Sequence, residues 1–142
     1  TVEELQSALT GIRYTLKPWD IVMVQTGADS YWGQAEYFEA GCGMTRASTL
    51  WLIEQGIRVM GIEAWGWDRP FWAIREEFSR TGDTSLLWGA HYAGIDHEYC
   101  HIEKLANLDR LPRPFGFKVA CFPVRLAGGS AGWSRVVAIV EE

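Results

Sequence analysis

The sequence predicts an α/β fold. Two apolar runs of strand length, Ile21-Val-Met-Val-Gln-Thr26 and Ile57-Arg-Val-Met-Gly-Ile62, flank a helical stretch that opens at Thr45. A strand, a helix and a strand at this spacing form a βαβ crossover, which implies parallel pairing. Neither run alternates with polar residues, which is the pattern of strands covered on both faces. With 142 residues, 48% of them hydrophobic, the chain can bury a core, and 1–142 reads as one domain.

The first element is a helix. Val2, Leu5, Leu9 and Ile12 recur at helical spacing, Thr1 can cap it, and Glu3 and Glu4 lie in the first turn, where the helix dipole favours carboxylates. Lys17-Pro-Trp-Asp20 is a turn into the first strand. From Gly27 to Gly43 the chain reads as a loop carrying Tyr31, Trp32, Tyr37 and Phe38, either a lid over a site or a packed satellite cluster. Thr45 caps the crossover helix and Gly56 ends it. The second strand runs straight into Glu63-Ala-Trp-Gly-Trp-Asp-Arg-Pro70, at the carboxyl end where open α/β sheets place ligands. Pro70 then admits a helix over 71–80. Three more strands are expected, over 99–104, 117–125 and 133–140. Pro123 marks an edge or bulge in the second of them, and Gly128-Gly-Ser-Ala-Gly132 makes a tight turn before the third.

Composition removes several function classes. A net charge of -5 argues against a nucleic-acid partner, because phosphate neutralisation needs clustered Lys and Arg. No stretch of eighteen apolar residues offers a membrane span. The polar opening reads as a helix start, and no signal peptide is expected there. Cys42, Cys100 and Cys121 are odd in number and without metal-type spacing, so free thiols in the cytoplasm are expected.

The chemistry concentrates in His91-Tyr-Ala-Gly-Ile-Asp-His-Glu-Tyr-Cys-His-Ile-Glu103, which holds all three histidines of the chain. Imidazole and carboxylate together suit a divalent ion such as zinc or manganese; the plainer alternative is a polar turn rich in histidine. Two geometries compete. His97-Glu98-Tyr99-Cys100-His101 matches H-E-x-x-H, the zinc-peptidase pattern, which needs a helix to put both histidines on one face. Tyr99, Cys100 and Ile102 favour a strand instead. On a strand, His101 and Glu103 share one face, and His91 reaches them from a preceding helix end or turn. Those groups are half a metal site, and further ligands must come from carboxylates here or from another segment.

The run from His91 to Asp109 resembles the cyclase-type metal hydrolases, the family of bacterial kynurenine formamidase and isatin hydrolase. The shared features are a His, a Glu twelve positions later at a strand end, and an Asn-Leu-x-Asn-Leu-Asp-like exit, here His91, Glu103 and Leu105-Ala-Asn-Leu-Asp109. Asp20–Gly27, Gly56–Glu63, Gly128-Gly-Ser130 and Ser134–Ile139 are also similar to family segments. The resemblance implies a mixed-sheet swivelling β/β/α fold, here incomplete. It implies that His91 and Glu103 bind zinc or manganese, whereas His97 and His101 are not carried over as ligands. The activity implied is hydrolysis of an amide or lactone in a small organic substrate by metal-activated water. The family's upstream His-x-Gly-Thr-His-x-Asp motif and its catalytic His have no counterpart here. The chain therefore reads as the carboxyl-terminal half of such an enzyme, needing an amino-terminal half for the other ligands and forming a homodimer or homotetramer. Trp67, just past a strand end, is the candidate for stacking on a flat substrate, and Ser130 for a hydrogen bond to it. The competing readings are the zinc peptidase and a non-catalytic domain that retains the fold.

Overall fold

The computed structural model of the chain describes residues 1–141. It forms two compact units, 1–109 and 110–142.

The first unit opens with helix α1, Val2–Gly11, closed at its start by the expected capping box: Thr1 Oγ1 accepts from the Glu4 N–H at 3.2 Å. Strand β1, Ile21–Val24, follows the turn. The next stretch is two short 3₁₀ turns, Ala28–Tyr31 and Ala35–Phe38. Its aromatics pack as a cluster: Tyr37 is buried and its hydroxyl donates to the carbonyl of Glu63 at 2.7 Å. Helix α2, Arg46–Glu54, starts from a second capping box, Thr45 with Ser48, and stops where Gly56 takes a positive φ of 88°. Strand β2 is Val59–Ile62, helix α3 Phe71–Thr81, helix α4 Gly89–Asp96 and strand β3 Cys100–Ile102.

The sheet order is β1-β2-β3, parallel throughout, in a register that pairs Val24 with Ile62 and Met60 with His101. The crossover reading therefore holds. Leu52, Ile57, Met60, Ile62 and Trp67 form the dry centre between this sheet and α2. The core is closely fitted, and backbone meets backbone where loops cross. Met44 N–H donates to the Trp67 carbonyl at 2.7 Å, beside a parallel bridge from Met44 to Asp68. A Cβ at Gly43 would stand 2.0 Å from the Asp68 carbonyl oxygen.

In the second unit, β4 (Lys118–Pro123) and β5 (Ser134–Ile139) form an antiparallel ribbon with Pro123 opposite Ser134 at its end. Pro123 thus sits at a strand terminus, where its missing N–H costs no interior ladder bond. Among the described residues no helix is long and apolar enough to cross a membrane.

The crowding at Gly43 yields a test. Gly43→Ala must push apart two backbone segments, not a flexible side-chain tip. We expect a loss of about 2 kcal/mol or more in denaturant unfolding, as for other overpacking changes. An unchanged midpoint would show that the 40–44 and 67–69 segments do not touch as described.

Candidate metal centre

The geometry of the histidine stretch decides between its two readings. Helix α4 ends at Asp96, and His97 is already extended, at φ -143° and ψ 130°. His101 then lies on β3. His97 and His101 share no helix face, so the H-E-x-x-H arrangement of a zinc peptidase does not form. Gly94 near the helix end and the strand preference of Tyr99, Cys100 and Ile102 account for this. His91 belongs to the first turn of α4, at the amino end of the helix that precedes β3.

What fixes His91 is Asp68. This residue follows β2, and its carboxylate accepts the backbone N–H of Ala90 at 2.7 Å and that of His91 at 3.2 Å. These are orphan donors of the first turn of α4, and a carboxylate is the favoured group there. The same carboxylate bonds His91 Nδ1 through Oδ2. When the neutral ring donates from Nδ1, the lone pair sits on Nε2. That nitrogen faces Glu103 Oε1 at 3.6 Å, and His101 Nε2 faces the same oxygen at 3.5 Å.

The three donor atoms lie within 4.8 Å of one another. Ligands about 2.0–2.2 Å from a tetrahedral zinc are separated by about 3.3–3.6 Å, which is the spacing seen from Glu103 to each ring. The carboxylate–histidine pair of Asp68 and His91 is the usual arrangement for orienting a metal-binding imidazole. The donor set and its spacing therefore fit a divalent ion. His101 joins His91 and Glu103 in this cluster. The sequence reading placed His101 on the same strand face as Glu103 yet set it aside as a ligand.

Glu103 is held as an anion. Burial pushes its carboxyl up. The hydrogen bond from His101, the Trp67 N–H at 2.8 Å and the neighbouring Lys104 together outweigh that and bring it down to about 2. It is therefore ionised at neutral pH and ready to serve as a ligand.

A cavity of about 240 Å³ opens beside the cluster, lined by His91, Glu103, Asp68 and Arg69 together with Phe38, Trp65, Phe71 and Trp88. The aromatic walls brace one another. Phe38 meets Trp65 edge-on at 5.3 Å and stacks on Phe71 at 5.3 Å; Trp88 packs edge-on against His91 at 4.9 Å.

Trp67 is not among these walls. It is fully buried, stacks on His101 with centroids 5.7 Å apart, and donates from Nε1 to Thr49 Oγ1 at 3.1 Å. The ring expected to stack on substrate is a core residue backing a metal-ligand candidate, and Trp65 is the tryptophan of this turn that faces the cavity. Ser130 is exposed in the second unit, between β4 and β5. The three cysteines are free, as expected, with Cys42 on the cavity wall.

Two expected outcomes follow from this geometry. Asp68→Ala leaves two helix N–H groups and the His91 ring without their acceptor, so unfolding stability should fall by about 3 kcal/mol in a denaturant titration. The second concerns acid. A carboxyl at about 2 in the folded chain and about 4.3 in the unfolded one adds stability at neutral pH that drains away as pH falls from the upper value through the lower. Metal-free Glu103→Gln should show a shallower loss of stability over that window than the parent chain, by chemical unfolding at stepped pH.

Comparison with known proteins bears on the fold. Residues 1–69 match the family described as putative cyclase. No curated protein matches the sequence significantly. Among solved structures, an isatin hydrolase bound to the product analogue thioisatinate superposes with a TM-score of 0.77 at 19% identity, covering 99% of this chain. The chain spans 52% of that protein's length. The mixed α/β fold is thus the one the resemblance implied. Residues 1–69 are thus similar in sequence to the putative cyclase family, and the fold over nearly the whole length is similar to that of the isatin hydrolase.

Proposed function

We propose that the chain is the carboxyl-terminal part of a metal-dependent hydrolase domain that cleaves an amide or lactone bond in a small organic molecule. The observation that carries this reading is the convergence of His91, His101 and Glu103 on one point at metal-ligand spacing, at the wall of a cavity of small-molecule size. Zinc or manganese suits two imidazoles and a carboxylate.

A divalent ion held there would acidify water and polarise a substrate carbonyl, the two things such a hydrolysis needs. The chain's own residues prepare the place. Asp68 fixes the tautomer and angle of His91. The Trp67 N–H and the indole stacked on His101 hold Glu103 and His101 in position. Trp65, Phe38, Phe71 and Trp88 offer flat apolar surfaces for the organic part of the substrate. His91, His101 and Glu103 would supply three of the ion's donors. A second segment, the amino-terminal half implied by the family resemblance, would add further ligands and the histidine that moves the proton. A homodimer or homotetramer is the assembly we expect.

The test is metal analysis of the full-length protein. His91→Ala and Glu103→Ala should each lower bound metal well below one equivalent and reduce hydrolysis of amide or lactone substrates by about a hundredfold or more. Unchanged metal content in both variants would defeat the reading.

A further inference from the structure

Lys104 directly follows Glu103 and takes a left-handed backbone conformation, φ 60°, which is uncommon for a residue other than glycine. The surroundings are specific. Its N–H donates to the Ala64 carbonyl at 3.2 Å. Its ammonium stands 3.3 Å from Glu103 Oε2 and 4.6 Å from the centroid of the Trp65 ring. One cation therefore touches both a metal-ligand candidate and a wall of the cavity.

The two oxygens of Glu103 are thereby given different neighbours. Oε1 receives the Trp67 N–H and faces both imidazoles. Oε2 is occupied by Lys104. A carboxylate that must satisfy an ammonium with one oxygen offers only the other to an ion. A fixed positive charge one carboxylate away from a divalent ion also repels it, at a distance well inside the Debye length.

We propose that Lys104 is a positioning residue that confines Glu103 to one coordinating oxygen and sets the affinity of the His91–His101–Glu103 cluster for its ion below what the ligands alone would give. The proposal rests on the metal reading above. Its chemical consequence is a coordination shell with room left for water and substrate, which a two-oxygen carboxylate would narrow.

The experiment is a competition titration of Zn²⁺ and Mn²⁺ against a chromophoric chelator, with the full-length protein and three variants. Lys104→Asn removes the charge with a residue that tolerates the left-handed backbone. Lys104→Met removes it while keeping length against Trp65, and Lys104→Arg keeps the charge. We expect the Asn and Met variants to bind the ion about tenfold more tightly or better, and the Arg variant to stay within about threefold of the parent. The gain should shrink at molar salt, which screens a charge effect and leaves a packing effect untouched. Equal or weaker binding by Lys104→Asn, with the parent binding normally, overturns the role of Lys104 alone. Absence of binding by parent and variants alike overturns the metal reading itself.

Discussion

The Asp68 carboxylate is the interaction on which the site depends. It stands at the junction of three structural demands. It closes the amino end of α4, it bonds the His91 ring, and its own backbone lies against the 43–44 segment. Each demand is met only if the other two are. The helix must start where it does for His91 to be the residue over the carboxylate. The β2 exit must be pinned for the carboxylate to be there at all. A helix amino terminus attracts an anion through unpaired N–H groups, and here the same anion also orders an imidazole. One side chain thus couples the sheet, the crossover and the candidate metal centre.

Around that coupling the cavity is layered by polarity. Its floor is charged: Glu103 is kept anionic by donors that overcome its burial. Its walls are aromatic, each ring in contact with the next. A substrate seated against these walls would displace water from the floor and strengthen electrostatics there. The hydrolysis proposed above would benefit from this combination, since developing charge would be met by fixed groups.

Much of the frame could be read from the chain directly. The strands and the capped helices emerged from periodicity, Thr45 and Gly56, because local physics fixes them. His101 and Glu103 on one face followed from strand alternation alone. The partnership of Asp68 with His91 did not, since it joins residues far apart in the chain and no local pattern announces it. The stretch from Glu63 to Pro70 was marked by its place at a strand end, which was the available clue. Trp67 was misjudged for a related reason: proximity to a ligand-binding edge says nothing about which way a ring turns. The Met44–Asp68 bridge and the Thr49 hydroxyl pull that indole inward. His101 was set aside because the family resemblance offered no role for it, although its geometry already pointed to Glu103.

The parallel arrangement of β1, β2 and β3 bears on where the proposed ion binding would reside. A synthetic peptide covering His91 to Glu103 would contain every candidate donor of the cluster and still lack the Asp68 acceptor and the Trp67 amide that aim them. The affinity proposed above would therefore be a property of tertiary closure and not of local composition. It arrives only when strands separated by whole helices have found their register, a slow kind of pairing because the connecting loops must be closed first. Nascent or partly unfolded chains would hold their histidines as loose, non-selective ligands, and selectivity for a particular ion would appear together with the native state.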